Sequence, residues 1–312
     1  MKKSVVFIGT PDFAVESLKA LDEDEDIDVE LVITGQDKRR SKNKLLPTPV
    51  KRYAMEHKIP VITPEDINSD IVYETLNEID PEFIVIVAYG QVIKERLLRR
   101  FKDRILNIHS SLLPKHRGAA PIQWSIINGD KVSGVTIMLV EERLDAGDIL
   151  LQESLPIGKD ERADSLHDRL AKLGGELIVK VIHRFDERYL NRKIQNENEA
   201  TYCSMIQKKM GRIDFNETPE KIYNKMRGFS PWPGVFFNYH GENVKIHNMY
   251  TIHEYNNHSN GKVVQVKDDG IKISCQDGYI VLTEIQFPNK RKMDVSSYLL
   301  GNDFEEGILL HQ

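Results

Sequence analysis

The first two-thirds of the chain alternate short apolar, β-branched runs with segments of helical periodicity, and this alternation constrains the fold most strongly. Five runs are almost continuously apolar, as expected of strands that are buried on both faces. They cover residues 5–8, 29–34, 83–88, 105–109 and 134–140. Helical patterns lie between some of them, at residues 13–21, 49–57 and 65–79. This order predicts an α/β fold with a mostly parallel sheet and crossover helices.

The pattern changes near residue 190. Residues 190–206 are polar and sustain neither period, which predicts a linker. Beyond them, a helical pattern at 219–226 precedes short strand-like runs, at residues 235–238, 262–266, 270–275 and 279–284. Such spacing is typical of a small β-barrel. Because 312 residues with 40% hydrophobic content can bury two cores, we expect two domains, residues 1–189 and 207–312.

Composition restricts the cellular setting. The apolar run at 5–8 is too short for a secretory signal, and no stretch reaches the length of a membrane span. Cys203 and Cys275 are far apart and lack partner spacing, which suggests neither a disulfide framework nor a cysteine-based metal site. We therefore expect a soluble protein of the cytoplasm without a membrane partner. We also expect a monomer, although composition does not determine the oligomeric state.

The first strand ends at Gly9-Thr10-Pro11-Asp12. Since glycine is the usual residue of a tight turn, an ordinary strand-to-helix turn explains this sequence by itself. A nicotinamide-dependent oxidoreductase would normally carry Gly-x-Gly-x-x-Gly here, together with an acidic residue that holds a ribose. The missing fingerprint argues against that class of enzyme.

His109 ends the apolar run 105–109, and Asn107 lies two residues before it. Side chains two residues apart on a strand share a face, and ligands of open α/β sheets bind at the carboxyl ends of the strands. Both side chains can thus aim at one substrate atom. The alternative is a structural pair, in which the asparagine satisfies a core histidine.

Asp145 follows the apolar run 134–140, in the sequence Leu-Asp-Ala-Gly-Asp. Aspartate before Ala-Gly is ordinary loop sequence, so a plain turn is the alternative here. If the neighbouring strand ends bring the two residues together, Asp145 can hydrogen-bond His109, fix its tautomer and favour its protonated form.

In their order along the chain, these motifs resemble the 10-formyltetrahydrofolate-dependent formyltransferase family. The shared sequences are Gly-Thr-Pro-Asp-Phe-Ala, Asn-x-His with Ser-Leu-Leu-Pro, Arg-Gly-Ala-Ala-Pro, Gly-Val-Thr-Ile-Met and Leu-Asp-Ala-Gly-Asp. Enzymes for glycinamide ribonucleotide and for sugar nucleotides share the Asn, His and Asp, so these residues indicate the reaction and not the acceptor. The segments 47–51, 212–215 and 229–234 resemble the branch of the family that acts on methionyl-tRNA.

The resemblance implies a Rossmann-like formyltransferase domain followed by an OB-like β-barrel that binds the tRNA. It also implies 10-formyltetrahydrofolate as donor and initiator methionyl-tRNA as acceptor. It implies no metal. Asn107 and a protonated His109 would stabilise the developing oxyanion, and Asp145 would orient His109 and relay a proton. The implied folate contacts are Ser111, Leu112, Leu113, Pro114, Tyr89, Gly90 and Gln91. The Leu-Leu-Pro run has a plainer interpretation, closure of the core.

Positive charge is concentrated in residues 38–44, which we call the basic loop, although the chain has a net charge of −5. Its basic residues are Lys38, Arg39, Arg40, Lys42 and Lys44. Most charge runs are solvated surface, but such a cluster in an acidic chain favours contact with tRNA phosphates. The loop lacks the glycines usual in the family. Two other functions stay open, a formyltransferase for a sugar nucleotide or another small amine, and a tRNA-binding protein that has lost catalysis.

Overall fold

The computed structural model describes residues 2–39 and 45–310, which fall into two compact units. The first unit extends to Pro121 and includes Val132–Pro156 and His167–Cys203. The second comprises Ile122–Lys131, Ile157–Leu166 and the described residues from Ser204 onward. Across the described part of the chain, none of the helices combines the length and the apolar character that a membrane span requires.

The first unit is built on a mostly parallel sheet. The strands are β1 (Lys3–Gly9), β2 (Ile27–Ile33), β3 (Lys38–Arg39), β4 (Leu45–Leu46), β5 (Val61–Ile62), β6 (Phe83–Val87), β7 (Ile105–His109), β8 (Arg117–Gly118), β9 (Val132–Leu139), β10 (Ile149–Pro156) and β11 (Tyr202–Cys203). Within the described residues, the main sheet has the order β10-β9-β7-β6-β1-β2-β5. Strands β5, β2, β1, β6 and β7 are parallel, whereas β9 pairs antiparallel with both β7 and β10.

Helices connect these strands. They are α1 (Asp12–Asp22), α2 (Pro49–Glu56), α3 (Asp70–Ile79), α4 (Glu95–Arg100), α5 (Pro121–Ile127), α6 (Ala163–His183) and α7 (Phe185–Leu190), with a 3-10 turn at Glu197–Glu199. Val6 and Ile8 of β1 lie in one apolar cluster with Ile84 of β6 and Leu76 of α3. Each such side chain contributes about 1.5–3 kcal/mol on burial, so the edge where the parallel strands end is firmly fixed.

The predicted parallel sheet is confirmed, and β7 has the predicted bounds. Several elements of this unit have no counterpart in the sequence-based prediction, and β10 and α6 are the longest of them. Strand β10 lies at the sheet edge with Gln152–Ser154 exposed, so it lacks a continuous apolar run. Helix α6 buries Leu170, Leu173, Leu177 and Val181 at helical spacing, a signal that the sequence does carry.

Helix α3 begins at Asp70 and not at residue 65, where the prediction placed it. The Asp66 carboxylate accepts a hydrogen bond from the backbone N–H of Asn68 at 2.9 Å, and the Asp66 carbonyl accepts one from Ser69 at 3.2 Å. These bonds close a turn ahead of the helix, because short polar side chains compete with helical hydrogen bonding.

The second unit contains an antiparallel sheet. Its strands are β12 (Val235–Tyr239), β13 (Glu242–Ile252), β14 (Val263–Lys267), β15 (Gly270–Cys275), β16 (Gly278–Gln286) and β17 (Met293–Asp294). Among the described residues they pair in the order β12-β13-β16-β15-β14, with β17 also on β16. The helical elements are a 3-10 turn at Lys208–Gly211, α8 (Pro219–Gly228) and α9 (Val295–Leu299). A second, β-rich domain is thus confirmed, and its closure into a barrel stays a prediction.

The compact units divide the chain differently from the predicted domains. Two short segments before residue 189 belong to the second unit, and residues up to Cys203 belong to the first. The polar segment 190–206 was predicted as a linker. In the structure its Lys193 forms an isolated β-bridge with Ile149, and its strand β11 pairs with β8. Its polar side chains make hydrogen bonds inside the first unit. The Gln195 side chain, for example, is 5% exposed and donates to the carbonyls of Asp145 and Gly147.

Candidate active site

Strand β7 carries two of the predicted residues to the carboxyl edge of the sheet. Asn107 pairs with Ile86 and Met138, and His109 pairs with Thr136. Because they are two residues apart on one strand, both side chains leave the same face. Asn107 is half-buried, and its amide has no hydrogen-bond partner among the described residues. Its two N–H donors are therefore available to a ligand.

The imidazole of His109 is buried and has a protein group at each nitrogen. Nε2 lies 2.9 Å from the carbonyl oxygen of His116, and since a carbonyl only accepts, Nε2 carries a proton. Nδ1 lies 3.7 Å from Oδ2 of Asp145. That separation permits an ion pair when the ring is protonated, but it is longer than a hydrogen bond.

Asp145 lies in the turn after β9, and backbone groups hold it there. Its Oδ2 accepts a hydrogen bond from the backbone N–H of Gly118 at 2.8 Å, and 12% of the side chain is exposed. Its φ of +51° costs a non-glycine residue about 1–3 kcal/mol, a strain common at functional sites. The structure thus brings His109 and Asp145 together, while their chemical roles stay predictions.

Two glycines allow the turns around the Asp145 carboxylate. Gly118 has a φ of +115°, and a Cβ there would lie 2.4 Å from the carbonyl oxygen of Cys203. A Cβ on Gly147 would lie 1.9 Å from the carbonyl oxygen of Leu139. Only glycine fits either position without moving the backbone.

Thr136 of β9 supports the turn predicted to contact the folate. Its hydroxyl donates to the carbonyl of Ser111 at 2.7 Å and accepts from the N–H of Leu113 at 3.2 Å. The Gln152 amide donates to the Thr136 hydroxyl at 2.7 Å and to the Leu113 carbonyl at 3.0 Å. The backbone of this turn is therefore satisfied from β9 and β10.

Two of the four residues of this turn have side chains that a ligand could not easily contact. The Ser111 hydroxyl donates to the carbonyl of Lys115 at 2.7 Å, and the Leu113 side chain is 3% exposed. Leu112 and Pro114 are partly exposed. Of the four predicted folate contacts here, the structure therefore presents Leu112 and Pro114 as open apolar surface.

The other predicted folate contacts follow β6. Tyr89 is 8% exposed, its hydroxyl has no hydrogen-bond partner among the described residues, and burial raises its pKa. The Gln91 side chain accepts from the N–H of Ile67 at 2.9 Å and donates to the Glu65 carbonyl at 3.0 Å. Gly90 is exposed, with a φ of +87°. The backbone at Gly90 is thus the open part, whereas the Gln91 amide is already engaged.

The predicted tRNA contacts are only partly placed. Arg40, Lys42 and Lys44 lie outside the described residues. The backbone of Lys38 and Arg39 forms β3, which pairs antiparallel with β4. The structure therefore shows a short hairpin at the base of the basic loop, and the tRNA contacts stay a prediction.

Arg117 is a buried centre of hydrogen bonds that the predicted site does not include. Its guanidinium is 1% exposed, and it donates to the Gln195 side-chain oxygen at 3.1 and 2.9 Å, to the Glu197 carboxylate at 3.2 and 2.8 Å, and to the Tyr202 hydroxyl at 3.2 Å. Glu197 raises the pKa of Arg117, and Arg117 lowers that of Glu197. Arg117 belongs to the Arg-Gly-Ala-Ala-Pro motif, which is a usable signal, whereas Gln195 lies in polar sequence that gives none.

Cys203 lies in the first unit although it falls outside the predicted domain 1–189. Its thiol donates to the carbonyls of His116 and Arg117, each at 3.3 Å. Burial raises the pKa of Cys203 and raises that of Cys275 to about 12. Because the thiolate is the nucleophile, neither cysteine is suited to covalent catalysis.

One cluster of possible metal ligands occurs among the described residues, and none of its members belongs to the candidate site described above. It consists of Asp24, Asp26 and His183. His183 Nε2 lies 2.9 Å from Asp24 Oδ2, so a hydrogen bond between the two side chains accounts for this grouping.

Comparison with known proteins covers both units. Residues 2–182 match the family described as formyl transferase, and residues 205–303 match its C-terminal domain. The methionyl-tRNA formyltransferase of Finegoldia magna is 51% identical over 310 residues, covering 99% of this chain and 100% of that protein. That of Clostridium acetobutylicum is 40% identical over 308 residues, covering 98% and 99%.

A solved structure shares the fold. It is WlaRD, described as a sugar 3N-formyl transferase in the presence of dTDP and 5-N-formyl-THF. Its TM-score is 0.66 at 24% identity, over 93% of this chain and 100% of that chain. Since relatives with 40–51% identity cover nearly the whole sequence, the chain belongs to the methionyl-tRNA formyltransferases within the formyl transferase family.

Proposed function

We propose that this chain transfers the formyl group of 10-formyltetrahydrofolate to the α-amino group of methionine on initiator tRNA. The observation that carries the proposal is the approach of His109 to Asp145, 3.7 Å apart, with the unpartnered amide of Asn107 on the same strand. The 51% identity to a methionyl-tRNA formyltransferase supports the acceptor. The related fold solved with 5-N-formyl-THF supports a reduced folate as donor.

The reaction needs stabilisation of one developing negative charge. The methionyl amine attacks the formyl carbon, the new C–N bond forms, and charge gathers on the formyl oxygen before the bond to N10 of the folate breaks. The Asn107 amide donates one hydrogen bond to that oxygen. Since Nε2 of His109 already donates to His116, the Nδ1 edge supplies the second donor when it is protonated. Donors of this kind contribute roughly 3 to 4 kcal/mol each in acyl transfer.

Asp145 completes the proton balance. Its carboxylate stabilises positive charge on His109 across the 3.7 Å gap, and it passes the proton lost by the attacking amine to the departing N10. The hydrogen bond from Gly118 keeps one carboxylate oxygen in place and leaves the other for this transfer. The scheme requires no metal, and we expect the enzyme to act as a monomer in the cytoplasm.

The nearer alternative is a sugar-nucleotide amine as acceptor, which the fold shared with WlaRD suggests. The basic loop favours tRNA, because its concentration of positive charge suits a polyanion. The identity of 51% to a relative named methionyl-tRNA formyltransferase, against 24% to the sugar enzyme, favours the same acceptor.

The test is single-turnover and steady-state formylation with formyl-folate and charged initiator tRNA, beside a dTDP-amino sugar as competing acceptor. His109→Ala and Asn107→Ala should each lower kcat by roughly 10² or more and leave tetrahydrofolate binding largely unchanged. His253→Ala, an exposed histidine of the second unit, is the matched control. Near-normal turnover of His109→Ala, or formylation of the sugar amine in preference to tRNA, would contradict the proposal.

A further inference from the structure

The segment 193–203, which we call the clamp segment, connects two parts of the candidate site. At one end, Lys193 and Ile149 exchange backbone hydrogen bonds of 2.8 and 2.9 Å. At the other end, the carbonyl of Thr201 accepts from the N–H of Arg117 at 2.8 Å. The clamp segment thus joins β10, which follows the turn at the end of β9, to β8.

Gln195 of the clamp segment holds the turn that carries the catalytic carboxylate. Its Nε2 donates to the carbonyls of Asp145 and Gly147 at 2.9 and 2.8 Å. Its Oε1 accepts the two hydrogen bonds from Arg117. All hydrogen-bonding positions of this amide are occupied, and at 5% exposure water has little access to replace them.

Arg117 fixes which end of the Gln195 amide faces the turn. A guanidinium has donors only, so it requires the oxygen of Gln195 on its side and leaves the NH₂ group toward Asp145. The bidentate pair with Glu197 holds the guanidinium plane itself. The amide orientation is therefore determined from both sides, next to a residue whose φ of +51° needs such support.

We propose that Gln195 is a positioning residue for Asp145 in formyl transfer and that Arg117 sets the orientation of Gln195. This inference rests on the proposed function, since it concerns how the carboxylate of that function is aimed. Losing the two hydrogen bonds from Gln195 lets the turn relax and moves the carboxylate relative to Nδ1 of His109. A displacement of about 1 Å in a catalytic group lowers a rate by roughly 10².

Gln195→Glu is the sharpest variant, because it keeps the size of the side chain and the oxygen that faces Arg117. It places a second oxygen against the carbonyls of Asp145 and Gly147, where two donors belong. We expect kcat to fall by about 10- to 100-fold and the tetrahydrofolate Kd to stay within about twofold. Gln265→Glu, a partly buried glutamine of β14, controls for the change of charge.

A double-mutant cycle separates positioning from general structural support. We expect Gln195→Glu to lower kcat no further in an Asp145→Asn background, because both changes act on the same carboxylate. Multiplication of the two effects would overturn the proposal for Gln195 and leave the catalytic role of Asp145 intact. Near-normal kcat of Asp145→Asn alone would remove that role and this proposal with it.

The folded state is checked independently by tetrahydrofolate binding and by the urea midpoint of each variant. If Gln195→Glu does not fold, Gln195→Met repeats the cycle, since it has similar length and lacks both amide donors. Non-additive loss of kcat with Asp145→Asn supports the proposal for either variant. Unchanged kcat of a folded Gln195→Met overturns it.

Discussion

Thr136 gives the most direct test of how the sheet supports the turn at residues 111–114. Its side chain is fully buried, and its hydroxyl makes one hydrogen bond as donor and two as acceptor, with Ser111, Leu113 and Gln152. Thr136→Val keeps the shape of the side chain and removes all three. The change therefore leaves buried polar groups without a partner and creates no cavity.

The expected cost follows from these contacts. Each hydrogen bond contributes about 0.5–1.5 kcal/mol net, and unsatisfied buried groups add to the loss, so we expect about 2 to 4 kcal/mol of unfolding free energy. Because the turn carries Leu112 and Pro114, its relaxation should also weaken tetrahydrofolate binding by roughly 10-fold. Thr136→Ser keeps the hydroxyl and should retain most of the affinity.

The assay is urea unfolding followed by far-UV circular dichroism, together with calorimetric tetrahydrofolate binding. Circular dichroism suits this test because Trp124 and Trp232 both lie in the second unit, where their fluorescence would not report the first. Thr251→Val is the matched control, because Thr251 is a half-buried threonine of β13 in the second unit. A loss below about 1 kcal/mol together with unchanged folate affinity would refute the reasoning.

Replacing the basic residues of the basic loop with Ser or Gln should raise the KM for initiator tRNA and flatten its dependence on salt, leaving tetrahydrofolate binding unchanged; an unaltered salt slope would show solvated surface. Gly147→Ala should lower kcat by roughly 10-fold or more, because the new carbon would lie 1.9 Å from a carbonyl oxygen. Gly301→Ala, where no described atom lies within 4 Å, should match wild type in the same assay. Glu197→Gln should lower the free energy of unfolding near neutral pH, because it removes the carboxylate that pairs with Arg117. Arg117 lowers the pKa of Glu197 from its usual 4.5, so the pair stabilises the folded state above pH 4.5, and this stabilisation is lost as the pH falls through the lowered pKa. If the difference in unfolding free energy between wild type and Glu197→Gln stayed constant between about pH 7 and 3, this prediction would be contradicted.

Local sequence was sufficient for the buried central strands of the main sheet, but not for every strand or for the meeting of His109 with Asp145. Strand β7 is buried on both faces, so its apolar run marks its bounds. The approach of His109 to Asp145 does not follow from the rule that parallel strands end at one edge, because β9 is antiparallel to β7 and its last residue, Leu139, lies beside Leu106. The turn after β9 brings Asp145 back to His109, and no local pattern in the sequence predicts that path. Strand β13 was not predicted, because the register shifts around Asn248 interrupt the alternation of apolar and polar residues on which strand prediction depends.

The supporting residues could not be predicted in this way. Gln195 and Arg117 are separated by 78 positions in the sequence, and no local period records that a side-chain amide must face a guanidinium. The partner of His109 Nε2 is the backbone carbonyl of His116, a group that every residue has and that sequence cannot distinguish.

Both partners of the His109 imidazole are presented by residues in the left-handed region, His116 with a φ of +58° and Asp145 with +51°. Each conformation costs a non-glycine residue roughly 1 kcal/mol or more, so neither would persist without restraint. The restraint on each comes from the clamp segment: the Thr201 hydroxyl accepts from the N–H of His116 at 2.9 Å, and Gln195 donates to the Asp145 carbonyl at 2.9 Å. A stretch whose polar composition predicts a linker therefore holds both groups that face the imidazole, so the candidate active site depends on this segment as well as on the strand end.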